Sequence, residues 1–309
     1  MGFFFCLIFE IIIHIIMPDV FLDGFDRMMK EKENMIEKIN EYISYIPAAE
    51  VPISSDVGII YGKNSTYLFD VGSTKECLNF LYSLKGKMQI VISHFHGDHT
   101  WWLTRHRAGE DGMLPNDTLS LTYEPVKYEK LYIGKGTEKY LPGGEIVRES
   151  VIIWDETASS KLEDQEAEIE AGKGRNADGD NPTGACASSG DSKNISQALK
   201  LEIIPMPSSH SKGSLVLIVN DEYIFMGDST YCRYIPKKQG EEDYAEYNVQ
   251  KLKEQIDLLK SIKAEKCLVS HEKRFVRPKK VVIRQLESIY ERRKPGENII
   301  VLNKNEGEG

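Results

Sequence analysis

The chain has 309 residues, of which 41% are hydrophobic and 28% are charged, and its formal net charge is −9. This length allows one large domain or two small ones around a buried core. The acidic balance argues against broad, electrostatic binding of nucleic acid, although it leaves room for a local basic patch.

The five cysteines are scattered and contain no C-x-x-C pair. A zinc site built from thiolates and a disulfide framework are therefore both disfavoured. Scattered cysteines without a disulfide or metal-site spacing are typical of a reducing, intracellular setting. The sequence therefore predicts a cytoplasmic protein.

The first seventeen residues, MGFFFCLIFEIIIHIIM, are almost wholly apolar but include Glu10 and His14. A bilayer span takes roughly 20 apolar residues. A signal peptide would need a Lys or Arg ahead of the apolar run, and none is present. Three interpretations stay open: a start assigned upstream of Met17, a membrane anchor, or a docked hydrophobic helix. Residues 1–17 are the only predicted membrane contact, and an anchor there would change the predicted location.

Residues 18–48 are charged, with apolar residues at helical spacing, and we expect a helical extension there. The main domain is predicted over 49–303. It begins with two apolar, β-rich runs on either side of Gly62-Lys63-Asn64-Ser65, which is typical of a hairpin. A third strand is predicted further along the chain, where it runs into a histidine-rich loop. These three runs are Val57–Tyr61, Thr66–Phe69 and Met88–Ser93.

The second half of the domain starts with a polar segment at about 156–194, which has few large apolar residues. We expect a disordered insertion there, with a lid over the active site as the alternative. The predicted strands that follow are Leu201–Ile204, Leu215–Val219, Tyr223–Met226, Lys266–Ser270 and Asn298–Leu302. Helices are predicted over 249–262 and from Pro278 to about Arg293. This order indicates a mixed α/β (α+β) domain with layered sheets.

The most informative stretch is VISHFHGDHTWW, residues 91–102, which begins within the third predicted strand. His94, His96, Asp98 and His99 place four potential metal ligands within six positions. A catalytic metal takes ligands from a rigid frame and keeps a position for water. Four candidates are more than one ion needs from a single loop, and the pattern therefore favours two adjacent metals.

Five ordered motifs, each at a strand end, together resemble the metallo-β-lactamase superfamily of metal-dependent hydrolases. The resemblance covers roughly residues 50–275. The motifs are Asp70 in YLFDVG, His94 to His99 in HFHGDH, His210 in PSSHSKGS, Asp228 in FMGDS and His271 in LVSHEK. Of the seven histidines, only His14 and His106 lie outside them.

The resemblance implies a four-layer αββα sandwich with two divalent ions at one edge of the paired sheets. It gives His94, His96 and His210 to the first ion. It gives Asp98, His99 and His271 to the second, with Asp228 and a water or hydroxide as bridges. Asp70 would fix the orientation of a histidine. Zinc is the expected metal, and iron or manganese also suits this ligand set.

The predicted reaction is hydrolysis of a small ester, thioester, lactone or amide by the bridging hydroxide, with Asp98 and Asp228 as catalytic groups. Asp98 would orient the water or accept its proton. The alternative is a phosphodiesterase acting on a nucleotide or nucleic acid. A di-iron oxidoreductase is less favoured, because such relatives often carry glutamate where this chain has His96. A non-enzymatic member should have lost ligands, and none is missing.

Substrate contacts are predicted at Trp101, Lys212, Lys273 and Arg274. The two tryptophans after the histidine loop either line the pocket or pack the following helix against the sheet. The basic stretch HEKRFVRPKK, residues 271–280, follows a predicted metal ligand in an otherwise acidic chain. Local positive charge would attract an anionic small molecule. The sequence does not indicate an oligomeric state.

Overall fold

A computed structural model describes residues 35–104, 124–157, 198–235 and 244–303. Residues 1–17, the start of the predicted helical extension and nearly all of the polar insertion lie outside these ranges, and the predictions for them stay predictions. The helices in the described part are α1 (Lys75–Ser83), α2 (Gly97–Thr104), α3 (Val249–Ser261) and α4 (Lys279–Glu291). None of these helices is long and apolar enough to cross a bilayer.

The first large sheet has seven strands in the order β1-β2-β5-β6-β7-β8-β9. They are β1 (Glu37–Lys38), β2 (Ile43–Ile46), β5 (Val57–Tyr61), β6 (Ser65–Phe69), β7 (Lys87–Val91), β8 (Lys130–Gly134) and β9 (Glu145–Val147). A separate short hairpin joins β3 (Ala49–Glu50) to β4 (Ile53–Ser54). The β5–β6 pair is antiparallel, which confirms the predicted hairpin.

The second large sheet has six strands in the order β10-β11-β12-β13-β16-β17. They are β10 (Val151–Glu156), β11 (Ala198–Pro205), β12 (Leu215–Val219), β13 (Tyr223–Gly227), β16 (Lys266–Val269) and β17 (Val276–Pro278). A further three-stranded sheet contains β14 (Arg233–Ile235), β15 (Tyr244–Asn248) and β18 (Ile299–Asn303). The turn at Asn220-Asp221 has positive φ at both residues, as a tight hairpin requires.

Three apolar clusters show how the layers stack. Phe69 of the first sheet and Leu217 and Phe225 of the second lie in one cluster between the two sheets. Leu68, on the opposite face of the first sheet, packs in a second cluster with residues of α1 and α2. The outer face of the second sheet packs against α3 and α4, with Leu252 in that cluster. The predicted four-layer αββα sandwich is therefore confirmed.

The predicted helical extension over 18–48 is wrong at its described end, where β1 and β2 form a hairpin. The side chain of Asn40 accepts the backbone N–H groups of Tyr42 and Ile43, and this turn interrupts a helix. Ile43–Ile46 then pairs with β5. Cross-strand pairing has overridden the helical spacing, so the domain begins before residue 49.

The chain connections bring the ends of several strands to one edge. Helix α1 joins the parallel strands β6 and β7, and α3 lies between the parallel strands β13 and β16. Ligand sites in α/β sheets lie outside the carboxyl ends of parallel strands. Asp70, His94, Asp228 and His271 each follow such an end by one to three residues.

Candidate metal centre

The seven predicted metal ligands lie together at this edge in two groups. The three-histidine group contains His94, His96 and His210, and the aspartate–histidine group contains Asp98, His99, Asp228 and His271. Within each group the potential ligand atoms lie within 4.8 Å of one another. The division follows the ligand sets that the resemblance implied, except that Asp228, the implied bridge, clusters with the second set. Binding of an ion by each residue stays a prediction.

In the three-histidine group, His210 Nε2 lies 3.0 Å from His96 Nδ1. The other ring nitrogen of His210 is 3.0 Å from the carbonyl oxygen of Cys232, to which it donates as an N–H. This contact selects the tautomer that leaves Nε2 free as a ligand. His94 Nδ1 lies 2.9 Å from the Ser93 hydroxyl, and its Nε2 is buried with no hydrogen-bond partner among the described residues.

In the aspartate–histidine group, Asp98 Oδ2 lies 3.0 Å from His271 Nε2 and 3.4 Å from His99 Nε2. His99 Nδ1 donates to Asp70 Oδ2 at 2.7 Å. Asp70 is fully buried, and its other oxygen accepts the backbone N–H of Ser93 at 2.8 Å. The fixed Asp70 carboxylate therefore turns His99 Nε2 toward the site, which is the position that the resemblance implied for Asp70.

Asp228 belongs to the aspartate–histidine group and also reaches the three-histidine group. Its Oδ2 is 3.4 Å from His99 Nε2 in one group and 3.4 Å from His210 Nε2 in the other. Its Oδ1 is 3.8 Å from His271 Nε2. The carboxylate is buried and therefore presents its oxygens to both groups rather than to solvent.

Three buried polar atoms at this edge lack a hydrogen-bond partner among the described residues: His94 Nε2, His99 Nε2 and Asp228 Oδ1. Buried polar atoms are nearly always hydrogen-bonded, and each exception needs a physical reason. A nitrogen lone pair from each group and a carboxylate oxygen between them are the donor atoms that divalent ions take. The residues present thus fit a pair of metal ions.

The pKa values put several ligands in their metal-binding form. Burial, together with the neighbouring imidazoles, holds the pKa of His94 well below its ordinary value and lowers that of His96 to about 4. Burial acts to raise the pKa of Asp98, but the hydrogen bond from His271 and the charge of His99 hold it at about 2. Metals bind neutral imidazole and ionised carboxylate, so these three residues need lose no proton at neutral pH.

His99 and His271 differ from these three residues, because their pKa values favour a form that does not bind metal. Burial acts to lower the pKa of His99, but the carboxylates of Asp70 and Asp228 outweigh it and raise that pKa well above its ordinary value. For His271, Asp98 and Asp228 likewise outweigh burial. An ion entering the aspartate–histidine group must therefore displace protons.

Close backbone contacts hold the loops that carry the ligands. The two sheets approach each other where a Cβ on Gly227 would lie 2.6 Å from Ser93 Cβ, so a larger residue would part them. The loop after His210 rests on the turn after β8. A Cβ on Gly136 there would lie 2.0 Å from the carbonyl oxygen of Lys212. Glycine is required at both positions for these approaches.

The predicted substrate contacts fall into two kinds. Lys212, Lys273 and Arg274 are exposed. Trp101 is half-buried against the cluster beneath α1 and α2. Trp102 is buried, with its indole N–H donated to the Thr74 carbonyl, so for this tryptophan the interpretation as helix packing is confirmed.

Some of the basic side chains in the stretch 271–280 are paired or buried and are not available to a substrate. Arg277 pairs with Glu272, and Lys279 is buried with its ammonium near Glu265. Sequence reasoning also missed two features of the site. Phe95 stacks on Tyr140 beside the histidine loop, with ring centroids 4.5 Å apart. The second feature is the pair Ser55-Asp56, which contacts two of the ligand loops.

No protein-family model matches the chain, and no curated protein matches its sequence. Similar solved structures include an archaeal metallo-β-lactamase superfamily protein from Sulfolobus tokodaii, with 18% identity and a TM-score of 0.42 over 83% of this chain and 89% of that one. The metallo-β-lactamase DIM-1 has 13% identity and a TM-score of 0.44 over 83% and 96%. A peroxy-diiron form of the chemotaxis sensor ODP has 12% identity and a TM-score of 0.47 over 81% and 93%.

The similar structures therefore comprise both metallo-β-lactamases and a diiron protein, and the likeness does not choose between their reactions. The class of the chain rests on its own geometry: four αββα layers with two ligand groups at one sheet edge. The chain therefore has a four-layer αββα fold with a candidate dinuclear metal centre.

Proposed function

We propose that the protein is a di-metal hydrolase that cleaves a small ester, thioester, lactone or amide. One observation carries the proposal. The buried Asp228 carboxylate reaches both ligand groups, with one oxygen 3.4 Å from a histidine of each. A group in this position can hold two close ions together, and no serine or cysteine nucleophile is then needed.

His94, His96 and His210 would hold one ion, and Asp98, His99 and His271 would hold the other, with Asp228 contacting both. Zinc suits this mixture of imidazole and carboxylate, and iron or manganese is also compatible. Bound there, a pair of divalent ions supplies an activated water and stabilises the charge that develops on the attacked carbonyl oxygen.

The chain's own residues have separate tasks in this proposal. Asp98, with a pKa of about 2, stays ionised and can orient the attacking water or receive its proton. Burial acts to raise the pKa of Asp228, but the charges of His99 and His271 outweigh it and hold that pKa below its ordinary value. This carboxylate therefore also stays ionised. Asp70 keeps His99 in the required tautomer.

The proposed substrate is a small molecule that carries a negative charge. Lys273 and Arg274 follow the ligand His271 and are exposed. The stacked Phe95 and Tyr140 offer an apolar wall beside His96, because the Phe95 and His96 ring centroids are 4.8 Å apart. Lys273→Ala or Arg274→Ala should raise KM for an anionic substrate and leave kcat nearly unchanged. Lys280→Ala, an exposed lysine of the same stretch, is the matched control. An unchanged KM in both variants would contradict the anion contact.

The reaction is tested by screening the metal-loaded protein against thioesters, lactones, esters, amides, phosphodiesters and β-lactams, with and without a chelator. We expect chelator-sensitive turnover in the carboxylic-acid-derivative panel. Phosphodiesters are included because a metal pair also promotes in-line attack at phosphorus. Turnover confined to phosphodiesters, or dioxygen consumption by the iron-loaded form, would replace the proposed reaction with one of the alternatives.

A further inference from the structure

Ser55 and Asp56 lie just ahead of β5 and contact two segments that follow strands of different sheets. The backbone N–H of Ser55 and its hydroxyl both donate to the carbonyl oxygen of Asp98, at 3.1 and 3.0 Å. Asp98 lies in the first turn of α2, which follows β7 of the first sheet, whereas His271 follows β16 of the second. Asp56 reaches this second segment.

The Asp56 carboxylate is buried and accepts hydrogen bonds on both oxygens. Its Oδ2 accepts the backbone N–H of His271 at 2.9 Å and the Ser270 hydroxyl at 3.1 Å. Its Oδ1 accepts the backbone N–H of Ala48 at 3.0 Å. The Ser270 oxygen in turn accepts the Asp56 N–H at 3.0 Å, which closes a ring between the two segments.

The backbone at His271 explains why such a contact is needed. His271 has a φ of 63°, in the left-handed region that a residue with a Cβ adopts only under constraint. The strand hydrogen bonds of β16 end at Val269, so they do not hold the His271 amide. The bond to Asp56 holds this amide and thereby sets where the imidazole points.

We propose that Ser55-Asp56 is a positioning clamp for the aspartate–histidine group. It ties the backbones of Asp98 and His271 to one short segment and fixes the separation at which their side chains, now 3.0 Å apart, can share an ion. Among the described residues, neither Ser55 nor Asp56 bonds to His94, His96 or His210. The clamp rests on the proposed dinuclear centre and acts on one of its two ions.

Asp56→Asn tests the clamp with almost no change of volume. An amide has one acceptor oxygen, whereas the carboxylate receives backbone N–H groups on two sides, so one donor would face the amide NH₂. Partners that orient metal ligands typically contribute about 10–100-fold in metal affinity. In a cobalt titration followed by visible absorption, we expect one of two binding steps to weaken by about that factor and the other to stay as in the wild type.

Asp155→Asn is the matched control, because Asp155 is also a buried carboxylate. It accepts hydrogen bonds from Asn64 and Tyr67 at the opposite end of the β5–β6 hairpin. This variant should lower Tm and leave both cobalt affinities unchanged. Ser55→Ala keeps the backbone bond to Asp98 and should weaken the same step as Asp56→Asn by a smaller factor, with recovery in Ser55→Thr.

The outcomes separate the clamp from the metal centre itself. If the wild type shows no second cobalt step, the dinuclear proposal fails and the clamp fails with it. If the wild type takes two ions and Asp56→Asn weakens neither, or both equally, the clamp alone is wrong. Should Asp56→Asn not fold, Ser55→Ala decides the matter on the same criterion.

Discussion

The two ligand groups of the site differ in chemistry and in support. The three-histidine group is all nitrogen, and the pKa values of His94 and His96 are lowered. Its third member, His210, lies on a loop that rests on another loop through a glycine contact. The aspartate–histidine group mixes oxygen and nitrogen ligands and is anchored by the buried carboxylates Asp70 and Asp56.

This difference shows two ways of preparing a site for a metal ion. In the three-histidine group, burial keeps the imidazoles of His94 and His96 neutral, and backbone contacts position the loop that carries His210. In the other group, carboxylates orient the histidines firmly but also raise their pKa values. We therefore expect the two ions to respond differently to the loss of a ligand, to loop displacement and to pH.

The largest effect is expected from Asp228→Asn, which removes the carboxylate between the groups. Activity should fall by about 10³-fold, equivalent to about 4 kcal/mol of activation free energy. The metal content should fall from two ions to one or fewer. Elemental analysis and steady-state rates measure both. Full activity in this variant would mean that Asp228 does not join the two groups.

His210→Ala and His271→Ala should next separate the groups, because each removes one ligand from one group only. Each variant should lose one cobalt step by more than the roughly 10–100-fold typical of partners outside the coordination sphere. The other step should persist. Loss of both ions in both variants would indicate a single cooperative unit instead of two groups.

Gly136→Ala should have a smaller and one-sided effect. The added methyl group would meet the Lys212 carbonyl oxygen and push the His210 loop outward. We expect about a tenfold loss of affinity in the three-histidine group alone, measured by the same titration. The control is Gly86→Ala just ahead of β7, at the end of that strand away from the ligands, where a methyl group would meet no atom within 4 Å but would strain a φ of 89°. It should lower Tm while both affinities stay at the wild-type values.

The smallest effect is a difference in pH dependence. His99 and His271 have raised pKa values, so they hold protons up to a higher pH in the metal-free protein and release them on binding. As pH falls through those raised values, the affinity of the aspartate–histidine group should drop first. His96, with a pKa of about 4, and His94 stay neutral over that range. Titrations at several pH values should give a steeper slope for this group, and equal slopes would refute the difference.

Much of the fold could be predicted from local patterns in the sequence. The β5–β6 hairpin and the helices α3 and α4 were predicted because alternation, turn residues and helical spacing are properties of one segment. The hairpin of β1 and β2 was not, because Ile43–Ile46 is determined by its pairing with β5 and by the turn at Asn40. β15 was missed for the same reason, since its partner β18 lies far along the chain. β14 is a three-residue strand and is too short to show an alternating pattern.

The site divides in the same way. The metal ligands were predicted because their residue types and order carry a signal that is independent of the fold. Asp56 was not predicted, since its partner Ser270 lies 214 residues away and only the fold brings them together. One weak signal was present: a lone carboxylate at the head of the apolar run VGIIY. No sequence pattern indicated the Phe95–Tyr140 stack, because Tyr140 lies in an irregular turn.

The central claim is that two ions lie side by side with Asp228 between them. An anomalous-difference map from crystals of the zinc-loaded protein tests it most directly. The account predicts two zinc peaks, one at His94, His96 and His210 and one at Asp98, His99 and His271, with an Asp228 oxygen in contact with each. A single peak, or two peaks with the Asp228 carboxylate turned away from either, would contradict it.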